Sequence, residues 1–146
     1  MQQNNFLNNA FLHHLSIQCA DPKSLSSFYS ETLGMKSKQI HHQEKTKWLC
    51  FGNDRRIIFS PGKKKNLDFA AFSLKDENSL MNFKNILINN KVSISEYETP
   101  FFMKGSFGVK DPDNNLIIFG ISEINKGIAL SSTYSDHIYG PLQHLT

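Results

Sequence analysis

The chain has 146 residues, of which 39% are hydrophobic, and this length predicts one domain whose core forms without disulfides or structural metal ions. The net charge is only +3, and no basic patch interleaved with aromatic residues is present, so nucleic acid is not an expected partner. No apolar run is long enough to cross a bilayer and no secretory leader is recognisable, so no membrane partner is expected.

The two cysteines, Cys19 and Cys50, both fall in predicted strands. Buried, unpaired thiols are typical of a reducing compartment, so the expected location is the cytoplasm. A disulfide between neighbouring strands is the alternative.

The first half of the chain predicts a strand, a helix and three further strands. Apolar and polar residues alternate over 12–20, which is typical of a half-buried strand whose more polar face carries His14. Asp21 and Pro22 form a helix-start signal, and Gly34 marks the end of the helix. The three strands are predicted at 36–44, 46–52 and 55–60.

The second half predicts the same order of elements. A strand at 68–75 precedes Asp76, which is expected to cap a second helix. Within the turn D-P-D-N-N we expect Asn114 at a positive φ, because asparagine tolerates that conformation. Further strands are predicted at 93–98, 105–110 and 115–122.

A short sequence pattern occurs twice and determines the predicted architecture. Asp21, Ser24, Leu25 and Phe28 recur 55 residues later as Asp76, Ser79, Leu80 and Phe83. The segment R-I-I-F at 56–59 likewise recurs as L-I-I-F at 116–119. We therefore predict an α+β fold in which two β-α-β-β-β repeats form one curved mixed sheet, with Phe28 and Phe83 buried beneath it.

The predicted domain spans 12–125, with its halves at 12–62 and 63–125. Residues 1–11 are rich in Gln and Asn and are expected to be flexible. The tail at 126–146 ends in P-L-Q-H-L-T, which is similar to F-L-H-H-L-S at 11–16. It is therefore a candidate for the start of a further copy of the fold.

Three segments together resemble the vicinal oxygen chelate superfamily: H-L-S-I-Q-C-A-D, F-Y-S-E-T-L-G-M and F-G-V-K-D-P-D-N-N-L-I-I-F. This superfamily groups glyoxalase I, the extradiol ring-cleaving dioxygenases and the bleomycin- and fosfomycin-resistance proteins. The resemblance spans roughly 12–122 and implies a homodimer that binds a small molecule. It does not define a reaction, because members of this superfamily change chemistry by changing their pockets.

Members of the superfamily that use a metal place ligands on the first and last strands of each half. These positions fall on His14, Ile58, Phe69 and Ile118. Only His14 can ligate a metal, so the resemblance implies a metal site that is absent or heavily altered, and no cofactor is expected. A divalent Fe, Mn, Zn or Ni ion held by His14 and atypical ligands is the alternative.

Other candidates for the site are set aside by strand geometry. His13 is expected on the face opposite His14, so the pair is not predicted to act together. Asp68 precedes Phe69 and would reach the same face only through a register shift, which would turn the apolar residues outward. Either member of the pair His41-His42 could line a pocket, although surface exposure is the simpler interpretation.

The loop at 99–103 carries Phe101 and Phe102, which could overhang a cavity and bind a flat or apolar ligand, or fold onto their own core. The leading hypothesis is a metal-free binding protein that takes a small apolar or aromatic ligand. No catalytic residue is identified. The expected ligand-binding residues are His14, Ile58, Phe69, Ile118, Phe101 and Phe102.

Two alternatives remain open. The chain could be the non-catalytic N-terminal domain of a two-domain protein similar to the extradiol dioxygenases, as the tail suggests. It could also be an extradiol dioxygenase or a glyoxalase-type lyase that uses a divalent metal with atypical ligands.

Overall fold

The computed structural model describes residues 10–63 and 65–123. Within them, a strand, a helix and three strands follow one another twice, which confirms the predicted α+β fold of two repeats. The elements are β1 (Ala10–Cys19), α1 (Pro22–Ser27), β2 (Lys36–His42), β3 (Lys45–Gly52), β4 (Arg55–Pro61), β5 (Asn66–Leu74), α2 (Glu77–Asn89), β6 (Ser95–Glu96), β7 (Phe107–Lys110) and β8 (Leu116–Gly120).

The eight strands form a single curved mixed sheet in the order β2-β3-β4-β1-β5-β8-β7-β6. Within each half the first and last strands pair in parallel, β1 with β4 and β5 with β8. The two halves meet where β1 and β5 pair in antiparallel. The order is symmetric about this seam, so equivalent residues of the two repeats lie at equivalent distances from it.

Equivalent aspartates begin the two helices, as the repeat predicts. The Asp21 carboxylate accepts a hydrogen bond of 3.1 Å from the backbone N–H of Ser24, and Asp76 accepts one of 2.8 Å from that of Ser79. Each bond satisfies a backbone donor that the first helical turn leaves free. The bond to Ser79 is also the main reason that the pKa of Asp76 lies below its ordinary value.

The two helices pack on one face of the sheet, which we call the outer face. Against α1 lie Cys19, Cys50 and Phe59, and both cysteines are buried and free, as expected. Against α2 lies a second cluster of buried side chains. It contains Ala10, Leu74, Leu80, Phe83, Phe107, Phe119 and Ile121.

The opposite, inner face of the sheet has its own buried cluster. Because side chains alternate along a strand, Ile58 and Ile118 point inward while their neighbours Phe59 and Phe119 point toward the helices. The inner cluster contains Ile40, Leu49, Phe51, Ile58, Phe69, Ala71, Phe101, Phe102 and Ile118.

Some local details of the prediction are confirmed, and others differ from the structure. Asn114 adopts φ 68°, and Gly34 adopts φ 78°, as their positions in the turns predict. β6 covers only two residues of the strand predicted at 93–98. The described residues contain no helix that is both long and apolar enough to cross a membrane.

The predicted burial of Phe28 is wrong. After Ser27 the helix opens into a π-helical turn at Phe28–Thr32, and the Phe28 side chain stays 50% exposed. The next residue, Tyr29, packs on Phe59 instead, with ring centroids 5.1 Å apart. The equivalent Phe83 is buried in α2, as predicted.

This difference predicts unequal costs for two equivalent substitutions. Phe83→Ala should lower the free energy of unfolding by about 3–5 kcal/mol, because it empties a packed aromatic site. Phe28→Ala should cost about 1 kcal/mol or less, because half of that side chain is already in water. Chemical denaturation of both variants measures the difference, and equal costs would contradict the packing described above.

Candidate ligand-binding site on the inner face

An extra residue in β1 places two histidines on the same face of the sheet. Leu12 pairs with Phe72, but His14 pairs with Ala71, so His13 is unmatched in the ladder. Such a β-bulge redirects the side chain of the extra residue. Both imidazoles are buried and both pack on Phe101 and Phe102, so the predicted placement of His13 on the face opposite His14 is wrong.

The two imidazoles form the centre of a short chain of hydrogen bonds. The Nδ1 atoms of His13 and His14 lie 2.9 Å apart, so one of them must donate to the other. The Nε2 atom of His13 lies 3.1 Å from the Ser122 hydroxyl. The Nε2 atom of His14 is buried and has no hydrogen-bond partner among the described residues.

Aromatic rings enclose this pair. The His14 ring centroid lies 4.8 Å from that of Phe101, 5.0 Å from Phe102 and 5.6 Å from Phe69. A Cβ atom at Gly120 would clash with the Phe102 ring, so glycine permits this close approach to β8. Water is therefore excluded from the imidazoles.

The loop that carries Phe101 and Phe102 is held against the chain segment after β8. Phe102 forms a bridge with Ser122, and the Met103 N–H donates to the Ile121 carbonyl over 2.8 Å. Both rings are buried on the inner face, which corresponds to a loop folded onto the core. The loop thus fixes Ser122, the hydroxyl that contacts His13.

The surroundings keep both imidazoles neutral. Burial lowers the pKa of His13 well below its ordinary value, and His14 and the Arg56 guanidinium lower it further. Burial, followed by Arg56, also lowers the pKa of His14. Arg56 is itself buried and donates to the His13 carbonyl over 3.3 Å.

The four strand positions singled out from the sequence lie together on the inner face. Ile58, Phe69 and Ile118 belong to one buried cluster, and the His14 ring contacts Phe69 edge to face. Phe101 and Phe102 pack into the same cluster. Whether these six side chains bind a ligand remains a prediction.

A cavity of about 290 Å³ lies beside the histidine pair. Of the predicted ligand-binding residues, His14 alone is among those that line it. Neither His41 nor His42 contributes to its wall. The lining residues are Leu12, His13, His14, Leu15, Asp54, Arg55, Arg56 and Ile57.

A second bulge places a carboxylate at the other end of the seam. Ser16 pairs with Phe69 and Ile17 pairs with Leu67, so Asp68 is unmatched in the ladder. Its carboxylate accepts a hydrogen bond of 3.1 Å from the Ser16 hydroxyl. The sequence argument against Asp68 is therefore wrong, because a bulge redirects one residue without turning the whole strand.

The inner face does not suit a divalent metal. Among residues 10–63 and 65–123, no group of three or more His, Cys, Asp or Glu side chains is placed to hold an ion. Three of the four relevant strand positions are apolar, and the Arg56 guanidinium adds positive charge beside the fourth, His14. Two imidazoles next to a buried cation make a poor cation site.

Sequence reasoning missed the parts of the site that depend on the bulge and on distant packing. Strict alternation was used to predict the face on which the side chains of His13 and Asp68 lie, and alternation cannot locate an unmatched residue. Ser122 and Arg56 reach His13 from 109 and 43 residues away. In the sequence, the feature that points to His13 is its position directly before His14.

The neutral imidazoles predict a pH-dependent stability. In the unfolded chain histidine takes up a proton near pH 6.5, whereas the folded protein resists protonation at His13 and His14. The stability they contribute is complete above about pH 6.5 and is lost as the pH falls toward their folded-state pKa values, by up to about 1.4 kcal/mol per pH unit for each histidine. Chemical denaturation between pH 7 and pH 5 measures how the free energy of unfolding changes with pH. The control variant His41→Gln, at an exposed histidine, should show the same slope as the unmodified protein. A flat profile in the unmodified protein would contradict the prediction.

Solved structures of known proteins share this fold at low sequence identity. The 2,3-dioxygenase LapB from Pseudomonas sp. KL28 matches with a TM-score of 0.68 and 16% identity, over 84% of this chain and 44% of that chain. Catechol 2,3-dioxygenase matches with a TM-score of 0.64 and 11% identity, over 77% and 40%. Methylmalonyl-CoA epimerase from Mycobacterium tuberculosis matches with a TM-score of 0.58 and 16% identity, over 77% and 88%. The chain thus spans less than half the length of these two dioxygenases.

Among curated proteins, none matches by sequence. Residues 11–119, in contrast, match the family model of the Glyoxalase/Bleomycin resistance protein/Dioxygenase superfamily. This range contains both repeats and the histidine pair. The chain belongs to the Glyoxalase/Bleomycin resistance protein/Dioxygenase superfamily.

Proposed function

We propose that this protein binds a small apolar or aromatic molecule without the help of a metal ion. The observation that carries the proposal is the composition of the inner face, where Ile58, Phe69 and Ile118 occupy the three strand positions that would have to complete a ligand set with His14. Such a surface binds by excluding water and by shape, with few polar groups to orient the ligand. The superfamily includes proteins that sequester a ligand without converting it, and this one resembles them.

The cavity beside the histidines is the proposed binding position. Its apolar walls come from Leu12, Leu15 and Ile57, and its volume of about 290 Å³ suits a ligand of one or two rings. Phe101 and Phe102 do not line this cavity, because they pack into the inner cluster, whereas Ile57 packs with the cluster against α1.

Binding of anisole tests the position of this site. Titration followed by NMR chemical shifts should give saturable binding to the unmodified protein. Leu12→Trp, at the cavity, should weaken it about tenfold or more by filling space, whereas Ile88→Trp should not. The two residues are a matched pair, because each is 51% exposed and only Leu12 lines the cavity.

Metal content tests the other half of the proposal. Protein purified without chelators should carry no divalent metal in stoichiometric amount by elemental analysis. A stoichiometric Fe, Mn, Zn or Ni ion that is lost in His14→Ala would contradict the metal-free proposal and favour a metal-dependent lyase or dioxygenase.

A second candidate function follows from how much of the dioxygenase chains this chain covers. The chain aligns with 44% of LapB and 40% of catechol 2,3-dioxygenase, as a single domain of a longer protein would. It would then be the N-terminal, non-catalytic domain of a two-domain protein similar to extradiol dioxygenases. The tail motif at 141–146 that suggests this lies outside the described residues. Sequencing of the transcript beyond the codon for Thr146 tests it, and a stop codon there would remove it.

The proposed functional unit is a homodimer in the cytoplasm. β2 and β6 lie at the two edges of the sheet, where an unpaired strand favours contact with another chain. Both cysteines are free, which suits a reducing compartment. Light scattering at micromolar concentrations should give twice the mass of the chain, and a monomer would contradict the homodimer.

A further inference from the structure

The apolar side chains that line the cavity point to the outer face of the sheet. Leu15 and Ile57 are partners where β1 and β4 pair, and Ile57 packs with the cluster against α1. Leu12 is the partner of Phe72 across the seam, and Phe72 packs with the cluster against α2. Because paired residues in a sheet share a face, the three apolar walls of the cavity all belong to the outer face.

Arg55 joins these walls from the start of β4. It precedes Ile57 by two residues in a regularly paired stretch of strand, so its side chain also points to the outer face. Arg55 is exposed, and among the described residues it makes no hydrogen bond or ion pair. Arg56, in contrast, is buried and donates to the His13 carbonyl. Arg55 is therefore a cation at the edge of an apolar cavity, and its N–H donors are accessible to a ligand.

The charges around the cavity favour an anionic group. The lining residues include two arginines and one aspartate, Asp54, while His13 and His14 are neutral. Asp54 and Arg56 each have an interaction within the protein, so the positive charge that remains for a ligand is that of Arg55. A negatively charged group that enters the cavity therefore meets a net positive charge.

We infer that this cavity takes a small aromatic carboxylate, whose ring contacts Leu12, Leu15 and Ile57 and whose carboxylate binds the Arg55 guanidinium. This inference rests on the proposed function and assigns a chemical class to its ligand. A guanidinium presents two parallel N–H donors that match the two oxygens of a carboxylate. Since an ion pair open to water contributes little by itself, the apolar walls supply most of the affinity and Arg55 supplies the selectivity.

Two pairs of probes test this ligand class: benzoate against benzamide, and 2-naphthoate against 2-naphthamide. The members of each pair have the same ring and nearly the same shape, and they differ in the charge of one group. Titration followed by NMR chemical shifts at low ionic strength should show that the unmodified protein binds each carboxylate about fivefold more tightly than its amide. Equal affinities for carboxylate and amide would overturn the inference.

Substitutions at Arg55 should change this preference selectively. Arg55→Gln should remove the preference and leave the affinity for the amides within about twofold, whereas Arg55→Glu should reverse the preference. Lys75→Gln is the matched control, because it removes one cation from an exposed residue that does not line the cavity. If Arg55→Gln and Lys75→Gln reduce the preference equally, net charge alone explains it and the inference fails.

The contact itself has a separate readout, because Arg55 and Arg56 are the only arginines of the chain. The Nε–H resonance of Arg55, assigned by its absence from the spectrum of Arg55→Gln, should move as benzoate is added and stay in place with benzamide. The Arg56 resonance is the internal reference, because Arg56 is the partner of Phe51 in the inner cluster. An Arg55 resonance that does not respond to benzoate would overturn the inference even where the affinities differ.

The outcomes separate this inference from the proposed function. If carboxylate and amide bind equally well and Leu12→Trp weakens both, the binding function stands and the inference fails. If neither member of a pair binds, both fail.

Discussion

The pairing of β1 with β5 is the constraint on which the inner face depends. This seam joins the two repeats, and it contains two unmatched residues, His13 on one strand and Asp68 on the other. Because the bulges lie on opposite strands, the second restores the register that the first displaces. The alternation of apolar residues therefore continues on both sides of the seam, while two polar side chains are added between them.

The bulge at His13 also decides what kind of chemistry the inner face can support. Two adjacent imidazoles on one face, beside the buried Arg56, cannot both be charged in an apolar environment, and burial keeps them neutral. A neutral imidazole pair that shares a proton can donate and accept hydrogen bonds. With isoleucine and phenylalanine at the remaining positions, it lacks the carboxylates that would hold a cation there.

The parts of the structure that sequence predicted are those encoded by local chemistry. Asp21 and Asp76 begin helices because a carboxylate can accept from backbone N–H groups two or three residues later, and the repeat placed both correctly. Asn114 takes its positive φ for an equally local reason. Placement of Ile58 and Ile118 on one face is consistent with period-two alternation, because β4 and β8 remain regular there.

The failures lie where tertiary contacts override the local pattern. The π-helical turn at Phe28 exposes a side chain that the repeat marked as buried, because Tyr29 occupies the site on Phe59. The bulges at His13 and Asp68 depend on how two strands that are far apart in the chain pair with each other, which neither strand encodes alone. One error concerns the end of the helix on the outer face, and the other concerns the seam between β1 and β5. The fold tolerates such departures because the apolar clusters on its two faces hold the sheet together. Its sites can therefore change by single unmatched residues while the two repeats stay recognisable.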